Sequence, residues 1–153
     1  MAGKLLQELK QTKPFDSLEV EAYLNIIKTA DFLQQSASVV LKARNLSETQ
    51  YNVLRILRGA GEAGLKCSEV GERMVTRDPD ITRLLDRLEK QQLIERHRSQ
   101  TDRRVVTTRI TAAGLRLLED LDAPLRRASL AIFGKLEPGQ LQALIESLEA
   151  IRS

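Results

Sequence analysis

Asp78-Pro79-Asp80-Ile81-Thr82-Arg83-Leu84-Leu85-Asp86-Arg87-Leu88 is the stretch from which the fold can be read. Ile81, Leu84, Leu85 and Leu88 recur at helical spacing and form one apolar stripe, while Thr82, Arg83, Asp86, Arg87 and Lys90 share the opposite side. Asp78 suits the N-cap, with Pro79 at the first helical position, where a missing donor costs nothing. A shorter apolar segment, Leu65 to Met74, reads as a preceding helix, with Val75-Thr76-Arg77 as the turn. Gly71 inside it should cost about 1 kcal/mol against Ala, which points to a close approach to the next helix. Leu93 and Ile94 then lead into a strand, Ser99-Gln100-Thr101-Asp102 make a polar tip, and the β-branched run Val105 to Ile110 returns. Helix, turn, helix and two-stranded ribbon is the order of a winged helix-turn-helix.

Outward from this stretch the chain reads as helical. Leu5, Leu6 and Leu9 suggest a short amphipathic turn that Pro14 should break. A long helix is expected from near Ser17 to about Asn45, with Val20, Leu24, Ile27, Ala30, Leu33, Ala37, Val40 and Leu41 three or four apart. That length suits a helix that bridges two regions or packs on a partner. Ser47-Glu48-Thr49-Gln50 reads as a capping box opening a helix that stops at Gly59-Ala60-Gly61. Thr111 should cap a helix carrying Leu115, Leu118 and Leu121, which Pro124 should kink or divide. A last helix spans Leu136 to Ile151 with Pro138 near its start. The expected fold is mainly α with a small β-hairpin wing. Its regions are N-terminal dimerisation helices (1–45), a winged helix-turn-helix lobe (46–110) and C-terminal dimerisation helices (111–153). The terminal helices carry more apolar surface than the lobe alone could hide, which suggests a homodimer.

With 153 residues, 42% hydrophobic and 29% charged, the chain is in the globular range. Aromatics are only 3%, so the core must be built from Leu, Ile, Val and Ala. Net charge is a modest +3, but its placement is uneven. Arg96, Arg98, Arg103, Arg104 and Arg109 face one acid, Asp102, across the candidate ribbon. From Ile110 onward acids balance bases. This is the footprint expected of a phosphate-binding ribbon. A single cysteine leaves no internal disulfide, there is no signal-peptide layout, and no run approaches a membrane span, so a cytoplasmic location is expected. No glycine-rich phosphate loop, nucleophile elbow or His–Cys constellation is present, so no enzyme, catalytic residue, cofactor or metal is expected.

Leu65-Lys66-Cys67-Ser68-Glu69-Val70-Gly71-Glu72-Arg73-Met74, Thr82-Arg83-Leu84-Leu85-Asp86-Arg87-Leu88-Glu89, Asp102-Arg103-Arg104 and Ile110-Thr111-Ala112-Ala113-Gly114 together resemble the MarR family of bacterial transcription regulators. The likeness runs from about residue 20 to the end. It implies a homodimer with two winged-helix lobes on a palindromic operator in double-stranded DNA, and repression relieved by a small ligand or an oxidised cysteine. It also implies that Asp102 braces the wing and Arg104 enters the minor groove. Two positions depart from the pattern: Lys66, where a small polar cap is usual, and Asp80, which brings negative charge to the groove-facing end of the recognition helix.

The candidate DNA contacts are therefore Asp80, Thr82, Arg83 and Arg87 on the recognition helix, with Arg98, Asp102, Arg103 and Arg104 on the wing. Arg87 admits a second reading, an intrahelical pair among Asp86, Glu89 and Lys90. For an effector, the resemblance implies a crevice between the dimerisation helices and the lobe. Tyr23, Tyr51 and Arg44 or Lys42 are placed to hold a small aromatic acid there. Cys67, near a helix start, is the candidate for thiol-based redox sensing instead. The other rival class is a winged-helix module that binds protein and not DNA.

Overall fold

The computed structural model describes residues 3–153. Its elements are α1 (Lys4–Glu8), α2 (Leu18–Lys42), α3 (Glu48–Ala60), β1 (Leu65–Lys66), α4 (Cys67–Arg73), α5 (Ile81–Lys90), β2 (Ile94–Arg98), β3 (Val106–Ile110), α6 (Ala112–Phe133) and α7 (Pro138–Arg152). A single 3-10 turn, Gly61–Ala63, joins α3 to β1. The strands form one antiparallel sheet in the order β1-β3-β2, with Ile94 opposite Ile110 and Arg98 opposite Val106. The chain is thus mainly helical with a small winged sheet.

Local chemistry sets most of the boundaries. Ser17 caps α2 by accepting the Val20 amide. Ser47 and Gln50 make the reciprocal capping box of α3, the Ser47 hydroxyl accepting the Gln50 amide and the Gln50 carbonyl accepting the Ser47 amide. Gly61, at φ +64°, ends that helix. Thr111 caps α6 by accepting the Gly114 amide. Helix α2 stops at Lys42, three residues before the expected end, and Asn45 turns the chain at φ +55°.

Four expectations need correction. The N-cap of α5 is Asp80, not Asp78, so Pro79 precedes the helix and is not its first residue. Asp78 instead uses its carboxylate one turn earlier, where Oδ1 accepts the Asp80 amide at 2.9 Å. Leu65 and Lys66 are not helical but pair with Thr108 and Thr107 of β3, satisfying their backbone in the sheet. Of the two effects expected of Pro124, kinking or dividing α6, division does not occur, since the helix runs on through it. Finally, Gly71 does not mark a forced close approach. A Cβ built there meets Ile81 Cγ1 at 3.6 Å, an ordinary contact.

The core joins the winged-helix elements to the helices on either side. Leu41 and Leu46 from the end of α2, Val53, Leu54 and Leu57 of α3, Leu65, Val70, Leu84, Leu85, Leu88 and Ile94, and Leu118 and Leu121 of α6 form one buried cluster. Two ion pairs reinforce the α6 junction: Arg44 Nη2 with Asp120 Oδ2 at 2.6 Å, and Arg58 Nη1 with Asp122 Oδ2 at 2.9 Å. The rest of α2 and all of α7 are different. In α2 only Leu41 is buried, and α7 has no buried residue. Leu18, Tyr23, Ile26, Ile27, Phe32 and Val39 of α2 and Leu144, Ile145 and Ile151 of α7 are exposed.

Candidate nucleic-acid interface

Helix α5 is amphipathic because its sequence repeats at 3.6-residue spacing, and the structure uses that division directly. Leu84, Leu85 and Leu88 are buried in the core, and Ile81 packs against it. Thr82, Arg83, Asp86, Arg87 and Lys90 are exposed. Asp80 Oδ1 accepts the Arg83 amide at 3.1 Å, so the first turn is held where Thr82 and Arg83 project. The acid that the sequence placed awkwardly at the groove-facing end is therefore the cap. Arg83 and Arg87 line a shallow groove of about 370 Å³ with Asp78, Asp80, Ser47, Thr49 and Gln50, between the starts of α3 and α5.

The intrahelical pair considered for Arg87 does not form. Among the described residues neither Arg83 nor Arg87 has a carboxylate within 4.0 Å. The acids expected to compete, Asp86 and Glu89, are both engaged by Arg96 of β2.

The wing tip is tied by its own backbone. Ser99 N–H donates to the Val105 carbonyl at 2.8 Å and Val105 N–H donates to the Asp102 carbonyl at 3.0 Å. Asp102 Oδ1 accepts the Arg104 amide at 3.0 Å, an Asx-type turn that fixes the backbone under Arg104. Arg98 Nη1 donates to the Arg103 carbonyl at 3.0 Å. Its guanidinium is thus partly spent inside the wing, whereas Arg103 and Arg104 are exposed and, among the described residues, without a carboxylate partner. His97 Nε2 lies 3.0 Å from Glu95 Oε1 on the ribbon surface. Arg109 is partly buried, and a Cβ on Gly64 would approach its Cγ to 2.8 Å. Of the five ribbon arginines counted in the sequence, Arg103 and Arg104 therefore present exposed heads free of internal bonds among the described residues, Arg96 and Arg98 are bonded within the protein, and Arg109 is partly buried with its Nε unpaired. Backbone pairing and side-chain direction decide which, and composition carries neither.

The candidate effector residues are not brought together. Tyr51 lines a crevice of about 370 Å³ between α2 and the lobe, with Gln34, Ala37, Leu41, Asn52, Arg55 and Leu125. Tyr23 is exposed on the outer part of α2 and Arg44 is held by Asp120; neither lines the crevice. Lys42 lines a neighbouring groove of about 760 Å³ with Asp31, Gln35 and Ser38. The cation the sequence reading missed is Arg55, whose guanidinium lies 6.0 Å from the Tyr51 ring centre. Its place four residues after Tyr51 on one helix face was the available signal. Burial pushes the Glu48 carboxyl, also in this crevice, above the ordinary carboxylate range. Asn52 Oδ1 accepts the Val75 amide at 2.8 Å, so the crevice wall is bonded to the α4–α5 turn.

Cys67 is the first residue of α4 and half-buried against the core. At Lys66 the missing polar cap is offset by Glu69, whose Oε2 accepts the Lys66 amide at 2.7 Å. Among the described residues no group of His, Cys, Asp and Glu is placed to hold a metal, and no helix is long and apolar enough to cross a membrane.

A recognition helix with an outward arginine face, set beside a two-stranded wing with an arginine tip, defines a winged helix-turn-helix regulator. The model of the MarR family matches residues 46–106. A MarR transcription factor from Planctomyces limnophilus, known from its crystal structure, is 39% identical, with 89% of this chain and 98% of that one covered and a TM-score of 0.69. The chain belongs to the MarR family of transcription regulators, which are not enzymes. The regulator MhqR of Bacillus subtilis is 36% identical over 76 residues, so the match spans 50% of this chain and about half, 51%, of that relative. The Staphylococcus aureus MepR–DNA complex shares the fold at 21% identity, covering 85% of this chain and 94% of that one, with a TM-score of 0.74.

Proposed function

We propose that this chain binds a pseudo-palindromic operator in double-stranded DNA as a homodimer and represses transcription until a small anionic aromatic ligand releases it. The observation that carries the DNA reading is that α5 and the wing together present four exposed guanidinium groups with no carboxylate within 4.0 Å among the described residues: Arg83 and Arg87 on α5, Arg103 and Arg104 at the wing tip. Arginine matches both the paired acceptors of guanine and the oxygens of phosphate. In this reading Thr82, Arg83 and Arg87 face a major groove, Asp80 presents them as their cap, and Arg98 and Asp102 shape the wing that delivers Arg103 and Arg104 to the flanking backbone and minor groove.

The homodimer is supported by the apolar residues left uncovered on α2 and α7, which a second copy would bury. With a two-fold axis between them, the two α5 helices reach successive major grooves about 34 Å apart, and half-site centres lie roughly 10 base pairs apart. The ligand reading rests on the crevice, where Leu41, Ala37 and Leu125 give an apolar wall and Arg55 a cation for a carboxylate. Salicylate-like acids are the probes, and operator DNA must weaken their binding by the same factor by which they weaken DNA binding.

Selection of bound fragments from random duplex DNA tests the DNA reading. The expected product is a pseudo-palindrome that Arg83→Ala reads less selectively at one or two bases, at a cost of about 1–3 kcal/mol. Arg104→Ala should instead lower the preference for A·T flanks. Retention of no duplex, with salt-insensitive capture of a protein partner, would favour the protein-binding alternative and remove this one.

A further inference from the structure

Arg96 is the ribbon arginine that turns back onto the recognition helix. Its Nε donates to Glu89 Oε2 at 3.2 Å and its Nη2 donates to Glu89 Oε1 at 3.0 Å, a two-pronged grip on one carboxylate. The same Nη2 donates to Asp86 Oδ1 at 2.5 Å. Asp86 and Glu89 are three residues apart and so adjacent on α5. The Arg96 side chain is 25% exposed, more enclosed than either acid, at 51% and 42%. Hydrogen bonding from Arg96 holds the Glu89 carboxyl below its ordinary range, and the same bond raises Arg96 further.

The position of this contact along β2 gives it leverage. Ile94, Arg96 and Arg98 alternate onto one face of the strand. Ile94 is buried in the core, Arg96 grips α5, and Arg98 already bonds the hairpin's own Arg103 carbonyl. Arg96 is thus the outermost residue on that face that ties the ribbon to another element. Beyond it the tip is held by bonds within itself.

We infer that Arg96 is a positioning residue: by clamping Asp86 and Glu89 it fixes the angle between recognition helix and wing, so that both meet one duplex. It does so without touching DNA. The inference rests on the DNA-binding reading and adds to it a residue whose effect on affinity passes through geometry. A charge-only account gives the opposite sign for one variant. Removing two negative charges from α5 with the pair Asp86→Asn and Glu89→Gln would then strengthen binding to phosphate, whereas loss of the clamp weakens it.

The experiment uses the full chain and the duplex that the wild type selects from a random pool. Arg96→Lys keeps the charge but loses the planar fork. It is expected to bind roughly tenfold more weakly, about 1.4 kcal/mol. The Asp86→Asn, Glu89→Gln variant should weaken binding similarly. In either background Arg104→Ala should cost less than it does in the wild type, because the wing is no longer held in place. Spin labels on cysteines introduced at Lys90 and Gln100, in a Cys67→Ser background and diluted into unlabelled protein, report the angle without DNA. Their distance distribution should broaden in Arg96→Lys. Tighter binding by the Asp86→Asn, Glu89→Gln variant, or an unchanged distance and affinity in Arg96→Lys, overturns the inference while leaving the DNA reading intact. Failure of the wild type to retain any duplex overturns both.

Discussion

Asp80 caps α5, and in the proposed DNA reading its charge also opposes phosphate, two effects that two substitutions separate. Its Oδ1 accepts the Arg83 amide at 3.1 Å, and its charge sits at the positive end of α5. Loss of an N-cap acceptor costs about 1 kcal/mol, and loss of an acid at an exposed helix N-terminus about 0.3–1 kcal/mol. Asp80→Ala loses both, so roughly 1.5 kcal/mol is expected. For a chain of this size that lowers Tm by about 3–6 °C. Asp80→Asn keeps a good cap and loses only the dipole contribution, so Tm should fall by about 1–3 °C. DNA binding should divide the pair further. Asn removes a negative charge beside Arg83, and affinity should rise a few-fold, more at low salt where screening is weak. Ala removes the same charge but frees the first turn that presents Thr82 and Arg83, so affinity should fall. Thermal unfolding at fixed protein concentration and operator titration at two salt concentrations read both effects. Equal stability losses from Ala and Asn would show that Asp80 is not the cap; equal gains in affinity would show that the cap does not help to present Arg83.

Two glycines should respond oppositely to alanine. Gly71→Ala should stabilise by about 0.5–1 kcal/mol, since its Cβ meets only Ile81 Cγ1 at 3.6 Å and a helix-interior glycine is entropically costly. Gly114→Ala should destabilise, because its Cβ would lie 2.4 Å from the Leu93 carbonyl oxygen and 2.6 Å from Ile110 Cγ1. Thermal unfolding of the two variants decides both. Acid should loosen the Arg96 clamp. The Glu89 carboxyl is held down by Arg96, so its stabilisation is present above its ordinary 4.5 and is lost as pH falls through its lower folded value. Glu48, pushed up by burial, works in the other direction, so the comparison that isolates the clamp is wild type against Arg96→Ala. Unfolding curves taken downward from about pH 6 should converge as the pH falls.

Capping chemistry and apolar periodicity were readable in the chain because both act over three or four residues. Ser47 with Gln50, Thr111 with Gly114, and the stripe of Leu84, Leu85 and Leu88 needed nothing from outside their own segments. The misreadings came where a distant partner, or two similar local choices, settled the structure. Leu65 and Lys66 are strand because β3, more than forty positions on, offers them hydrogen bonds. Asp78 and Asp80 are both good caps by type, and the backbone gives the helix to the second. Arg44, read as a ligand cation, is held by Asp120, 76 positions away. Composition could count ribbon arginines, but it could not show that Arg96 turns inward and Arg98 back onto its own wing.

The shared core limits how any effector could act. Leu41 at the end of α2 and Leu118 and Leu121 of α6 belong to the same buried cluster as Leu54, Leu57 and Leu88 of the lobe. A swing of the lobe about α2 and α6 would open that cluster, and removing one buried leucine's contacts alone typically costs about 2–5 kcal/mol. It would also strain the Arg58–Asp122 and Arg44–Asp120 pairs. A tenfold loss of DNA affinity requires only about 1.4 kcal/mol of coupling. The cheaper coordinates are those that leave the core closed. In the proposed homodimer, one is the packing of the two protomers through the exposed faces of α2 and α7, where no α7 residue is buried in the chain itself. The other is the α4–α5 turn, whose Val75 and Thr76 line the crevice and which is bonded to its wall from the Val75 amide to Asn52. In the proposed ligand reading, an acid drawn to Arg55 would sit beside Asn52 and act on that bond directly, changing how α5 is presented while the leucine core stays packed.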